Sequence, residues 1–414
     1  MYSSLVYKND HVTLCHKACK ACWGKPLAQH YFDMCKFIEN RVKVGHESVL
    51  EHSNVVMEFV QGEDAPNFGK PSLADQLFEI VGDTKFLNIA TEYVNGQEYL
   101  LIGGSIRAYK ELIRYTEYPN SELLTVILKT LTQNLDPCYF TDFIEAGLCT
   151  EDDFAAKPMY NYVKENACHS RKELPFSTIE NVDSFDELWN NLLNPEVYST
   201  RDLYKMLTIT VNFRDLSRAA SHQLVRHRNG ITQSSMRYID CSNAKFHIPP
   251  TVEGVEYELD ILGGKHKMTF EDVLRLELSI YEQFRQMGMQ KEDARGILGI
   301  NTKTNDLYMT FTYIHFIKFL ELRTDSHAQF EIRERALELY KYIVEEASLL
   351  PDNLYDYLIP YFIMYKDEMF ALDDLIDEVV EEYDEDIFDD EGDNLGYEFK
   401  SDIPRDIIVF LDEE

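Results

Sequence analysis

At 414 residues the chain can build a sizeable core or two to three average domains, and its 45% hydrophobic and 27% charged residues are ordinary for a water-soluble globular protein. A net charge of −33 repels nucleic-acid backbones, and no apolar run is long enough to cross a bilayer, so neither nucleic acid nor membrane is expected as a partner. The first residues lack a basic segment followed by an apolar one, so the expected location is cytoplasmic, and the eight cysteines read as reduced thiols.

The opening residues read as a strand, then a helix over 27–44, a turn at Gly45 and a strand over 53–60. Residues 61–70, rich in Gly, Pro, Asp and Asn, mark a boundary. Over 86–104 two β-prone runs flank Asn95-Gly96, a tight-hairpin signal, and helical spacing follows over 106–115. Short helical patterns broken by Pro and Asn fill 117–200. A strand is predicted over 206–213, then a helix with Asp215 as N-cap. Long amphipathic helices are predicted over 269–287, 307–323 and 328–347. The segment 367–414 holds 21 acidic residues against Lys400 and Arg405, so it carries −19 of the net charge and reads as a solvated tail. The expected division is therefore 1–60, a hairpin-plus-helices insertion over 61–205, 206–366 and the acidic tail.

The densest chemical feature runs from Gln223 through Arg226, His227 and Arg228 to Gly230, and on through Gln233, Ser234 and Ser235 to Arg237 and Tyr238. Gln223 and Arg226, three apart, share a helix face, and Gly230 is expected to end that helix. Guanidinium groups beside short hydroxyl side chains form a phosphate cradle, here set against an acidic background. The bland alternative for three such charges is a solvated basic helix end.

Ser221–Arg228 followed by Ser235-Met-Arg237-Tyr238 resembles the signature of the flavin-dependent thymidylate synthase family, R-H-R then S-x-R-Y behind S-H-Q-L-V. Gly45-His46-Glu-Ser48-Val-Leu-Glu51-His52 resembles that family's N-terminal phrase. Glu292–Arg295 and the stretch from Arg323 through His327 to Arg333 resemble its C-terminal helices. The resemblance covers roughly 10–60 and 206–350. It implies an α+β fold with a twisted, mainly antiparallel sheet flanked by long helices, an inserted hairpin and helical segment, and assembly as a homotetramer.

It further implies methylation of dUMP to dTMP with methylenetetrahydrofolate, the hydride coming from FAD reduced by NADPH. Carried over, Gln223, Arg226, Gln233, Ser234, Ser235, Arg237, Arg295 and Arg323 would hold dUMP. Ser48, Glu51, Arg226, His227 and Arg228 would contact FAD. Arg323 would polarise the uracil, and His46 would lie near the flavin ring. Thr310-Phe-Thr312-Tyr-Ile314 lacks the Asn and Arg that the family uses on flavin, and Arg107, after the hairpin, is the candidate replacement. Its bland reading is a solvated helix residue.

Two other classes compete. A catalytically silent relative would keep nucleotide binding alone and act as a regulator or scaffold. Cys15-x-x-x-Cys19-x-x-Cys22 has the spacing of a radical S-adenosylmethionine iron–sulfur motif, and His16 with these cysteines is a weaker zinc alternative. No metal is otherwise expected.

Overall fold

The computed structural model describes residues 2–9, 11–28, 30–61, 72–73, 75–77, 87–114, 121–155, 171–227, 230–303 and 306–345. Arg228 and the acidic tail therefore lie outside the described residues, as does the expected boundary beyond Gln61.

Two antiparallel sheets dominate. The first, ordered β1-β2-β4-β3, comprises β1 (Tyr2–Lys8), β2 (Val55–Gln61), β3 (Leu87–Val94) and β4 (Gln97–Gly104). Asn95 and Gly96 both have positive φ, 51° and 76°, the backbone of the tight turn that their sequence predicts. The hairpin is no appendage, because β4 pairs along its whole length with β2, from Val55 opposite Gly104 to Gln61 opposite Glu98.

The second sheet is ordered β5-β6-β7-β11-β8: β5 (Lys172–Glu173), β6 (Ser177–Val182), β7 (Thr208–Arg214), β8 (Gly230–Gln233) and β11 (Asp306–Thr312). A ribbon of β9 (Glu256–Ile261) and β10 (Gly264–Thr269) stands apart from both. The α+β expectation holds, with two sheets where one was anticipated.

Helices α1 (His11–Trp23), α2 (Tyr31–Lys43), α3 (Ile106–Arg114) and α4 (Glu122–Asn134) pack on the first sheet. In α4 the Ser121 side chain caps the Leu124 amide, and Leu124, Ile127 and Leu131 repeat at helical spacing toward the core. The later helices are α5 (Arg218–Leu224), α6 (Phe270–Gln286), α7 (Tyr313–Thr324) and α8 (Phe330–Glu345). Phe213, Phe311, Phe316 and Phe319 form the aromatic core between the second sheet and α7.

Several sequence expectations need correcting. Residues His11–Trp23 form helix α1 ahead of the expected first helix, and strand β6 stands within the stretch expected to be helical. Residues 306–312 are a strand with five consecutive buried positions, and helix begins only at Tyr313. Asp215 has a φ of 49° and does not cap α5, whose N-cap is Ser217. Gly230 opens β8, the helix having already ended at Leu224 with one 3-10 turn over Val225–His227.

Buried polar bonds join the sheets. The Asn54 amide donates to Asp183 and to the Met206 carbonyl, both at 2.7 Å, and Asp183 also accepts from the Thr208 amide and hydroxyl at 2.8 Å. The His52 ring bridges the Thr310 and Thr232 hydroxyls, each at 2.9 Å. Complete burial pushes its pKa down to about 3, so the ring is neutral at physiological pH.

Candidate functional site

Three segments carry the candidate residues: the 3-10 turn Glu47–His52, the stretch from α5 through β8 to Tyr238, and the C-terminal end of α7. The first is fixed from below. Glu47 receives Lys110 Nζ at 2.5 Å and both Arg114 nitrogens, at 2.5 and 2.8 Å. Lys110 is fully buried and also donates to the Tyr139 carbonyl at 2.6 Å and to Asp142 at 2.7 Å. With Glu47 so held, Ser48 and His46 face solvent at the surface of the turn.

Glu51 sits where the turn meets β8. A Cβ on Gly230 would come within 2.7 Å of the Glu51 carbonyl oxygen, so only glycine lets the two backbones approach. The Glu51 carboxylate accepts from the Ile231 amide and from Arg107, and burial nonetheless raises its pKa above the ordinary value. Arg107 also bonds Glu111 through Nε at 2.8 Å. Arg107 is thus neither a solvated helix residue nor an open phosphate clamp, since two carboxylates hold its guanidinium.

On α5 the first turn is anchored from α8, where Glu331 accepts from the Ser217 amide at 2.7 Å and from its hydroxyl. This orients Arg218, Gln223 and Arg226. Arg323 of α7 donates from Nε to His227 Nε2 at 3.0 Å and contacts Gln223 Oε1 at 3.4 Å. Gln223 in turn donates to Gln329 Oε1 at 3.1 Å. Burial first, and then the charge of Arg323, lowers the His227 pKa to about 4, so the ring accepts that bond as a neutral imidazole. Burial and the neighbouring Arg226 disfavour the Arg323 cation, while burial and Arg295 disfavour Arg218.

The remaining predicted residues form a second group. Trp23, at the end of α1, stacks on Tyr238 with centroids 4.5 Å apart and planes 9° from parallel. Arg41 covers Trp23 at 4.7 Å, and His46 meets it edge-on at 6.3 Å. The Ser235 amide donates to the Cys22 carbonyl at 3.0 Å. Arg237 is exposed and paired with Glu292 at 2.8 Å, and Arg295 bonds the Glu292 carbonyl at 3.1 Å.

Ser234 was expected on the ligand, but it is buried, donating to the Ala21 carbonyl at 3.2 Å and accepting from the Asp306 amide at 3.0 Å. Its hydroxyl docks α1 and β11. Gln233 keeps a buried Nε2 without a partner among the described residues. Sequence reasoning overlooked Arg218, whose signal was its place two helical turns ahead of Arg226 on a short basic helix. It also overlooked Trp23 and Arg41, which carry no motif.

The cysteine motif does not converge. Cys15, Cys19 and Cys22 lie in the continuous helix α1, with the first two in the core, and they form no metal-sized cluster among the described residues. His16 is buried against Phe37, and neither ring nitrogen has a hydrogen-bond partner among the described residues. The iron–sulfur and His16 zinc readings are therefore set aside.

What the geometry can do is hold an anion. Among the described residues, Arg218, Arg226, Arg295 and Arg323 have no carboxylate within ion-pair distance, in a chain of net charge −33. Arg218 lies near Arg295 and Arg226 near Arg323, two carboxylate-free guanidinium pairs of the kind that grip phosphate, and Gln233 adds an unpartnered buried amide.

Residues 153–348 match the family model described as thymidylate synthase complementing protein. The chain is 31% identical over 162 residues to a flavin-dependent thymidylate synthase of Thermococcus onnurineus, covering 37% of this chain and 61% of the relative. It is 32% identical over 139 residues to that of Geobacter sulfurreducens, covering 33% and 56%. A third match, in Pyrococcus furiosus, is 29% identical over 180 residues, covering 41% and 70%. The first two matches thus span less than two thirds of those relatives.

Proposed function

We propose that this chain is a member of the flavin-dependent thymidylate synthase family and methylates dUMP to dTMP with methylenetetrahydrofolate, using FAD and NADPH. The observation that carries the reading is the set of arginines that, among the described residues, stand without carboxylates in an acidic protein. The donor set fits the phosphorylated ligands this requires: Gln233 Nε2 is buried and unpartnered, and Arg226 and Arg323 crowd each other until an anion relieves them.

Bound FAD, once reduced by NADPH, supplies the hydride that turns the transferred methylene into a methyl group. The protein binds, orients and polarises. Ser235 and Arg237 grip the dUMP phosphate with Arg295 and Arg218 behind them, and Glu292 releases Arg237 as the phosphate arrives. Gln223, Arg226 and Gln233 orient the nucleotide. Arg323, kept rigid by neutral His227, directs its charge at the uracil carbonyl and stabilises negative charge that develops on the ring during attack.

Ser48, Glu51, Arg226, His227 and Arg228 hold FAD, with His46 beside the flavin ring. Arg107 serves this site by aiming Glu51. The two groups of candidate residues come together between subunits of a homotetramer. Free cysteines, seven among the described residues, suit a cytoplasmic enzyme.

The test is incubation of the purified chain with FAD, NADPH, dUMP and methylenetetrahydrofolate, with dTMP followed by mass spectrometry. Product should form and vanish in Arg237→Ala. Absence of product while flavin and dUMP both bind would overturn the activity and leave the silent relative.

A further inference from the structure

Beneath the first sheet lies a cluster that takes no part in the site above. Cys35 on α2 and Cys138 in the 3-10 turn Pro137–Tyr139 are buried, and between them stands the half-buried carboxylate of Asp136. One ligand atom from each of the three lies within 4.8 Å of the others, the one group of this kind among the described residues.

The carboxylate is already oriented. Asp136 Oδ1 caps the Cys138 amide at 3.0 Å, while Oδ2 accepts from the Tyr31 hydroxyl at 3.2 Å and faces the Cys35 thiol at 3.7 Å. Among the described residues Asp136 has no cationic partner. That contrasts with Glu47 and Asp142 nearby, which are both paired to Lys110 and Arg114. A partly buried carboxylate beside two thiols lacks a positive charge, and a metal ion would supply it.

We propose that Cys35, Asp136 and Cys138 form a structural site for a borderline-soft divalent cation, zinc above all. Two sulfurs and one carboxylate oxygen are ligand types zinc accepts, and its tetrahedral preference leaves a fourth position for the Tyr31 oxygen or water. Pro137 is exposed and Asp136 half-buried, so the cluster lies near the surface. Binding would lock α2 to the turn that follows α4. Because α2 leads through Gly45 into Glu47–His52, the ion would brace the turn that carries Ser48 and Glu51. The thiols bind as thiolates, so binding releases protons and weakens in acid.

The experiment uses the full chain, freed of metal under reducing conditions and titrated with Zn²⁺, and in parallel with Co²⁺ as a spectroscopic probe. One equivalent should bind to wild type and to the Cys22→Ser control, with a thiolate-to-cobalt charge-transfer band and a raised Tm. The Cys35→Ser/Cys138→Ser double variant should lose the band and the equivalent of metal. Asp136→Asn, which keeps both thiols, should bind at least tenfold more weakly. If the double variant does not fold, Asp136→Asn and the wild-type Co²⁺ spectrum decide. No binding above background, an unchanged Kd in Asp136→Asn, or a Cys35–Cys138 disulfide found by alkylation and mass spectrometry of freshly isolated chain would each overturn the site.

Discussion

Lys110 and Arg323 are helix-borne cations withdrawn from water, and their surroundings are opposite. Lys110 is fully buried between Glu47, Asp142 and the Tyr139 carbonyl, so its charge is answered within the chain. Arg323 meets a neutral imidazole, an amide oxygen and, close by, another arginine. The first arrangement is complete as it stands and holds a turn in place. Among the described residues, the second leaves positive charge without a carboxylate partner, an arrangement suited to receiving an anion.

Substitutions can break that contrast. Lys110→Ala should cost the most, about 3–5 kcal/mol, because it leaves Glu47 and Asp142 competing for Arg114 in a buried setting. Urea denaturation would measure it, and a loss below about 1 kcal/mol would mean that the network is not what fixes the turn. Arg323→Ala should leave Tm nearly unchanged while reducing kcat for dTMP formation by about 10²–10³-fold, the usual cost of removing one aimed charge. A fall in Tm without a fall in kcat would make Arg323 structural, like Lys110.

Arg107→Ala sits between the two cases, since it removes a pairing partner at the edge of the site. FAD affinity should fall roughly tenfold, about 1.4 kcal/mol, as Glu51 loses its orientation. Unchanged FAD affinity would end Arg107's part in the site.

A pH titration sharpens the comparison further. The folded pKa of His227, about 4, lies below its unfolded value of 6.5, so the unfolded chain takes up the proton first. Stability should therefore decline as pH falls from about 6.5 toward about 4, with His52 contributing over a range that extends to about 3. His227→Gln should flatten the upper part of the decline in a series of thermal melts. Added dUMP or FAD should raise the His227 pKa, visible by NMR of the ring protons, if the phosphate reaches Arg226 and Arg323. The smallest effect is expected at an exposed pair: Glu292→Gln should leave Tm unaltered and tighten dUMP binding slightly, by freeing Arg237.

Legibility in the sequence followed how local each cause is. The Asn95-Gly96 hairpin could be read directly because its two residues determine their own turn. Strand β11 could not, because a strand paired on both edges and buried at Leu307–Phe311 shows no alternation and passes for a helix face. Helix α1 was obscured by cysteines and a histidine that read as ligands when they are core. Motif singles out Gln223, Arg226 and Arg323, and the fold makes neighbours of them. The true position of Ser234 depends on a carbonyl of α1 more than two hundred residues away, and no local pattern encodes such a contact.

The seam between the sheets bears on any attempt to exchange parts with a relative. The family-model match begins at residue 153, yet Asp183 binds Asn54, the Ser184 amide binds the Tyr7 hydroxyl at 3.2 Å, Asn191 reaches the Val6 carbonyl at 3.0 Å, and Glu180 pairs with Lys17 at 2.7 Å. A chimaera cut there would place all four bonds at risk and leave Asp183 with Asn181 and Thr208 alone as donors. The workable unit of exchange is the pair of sheets together.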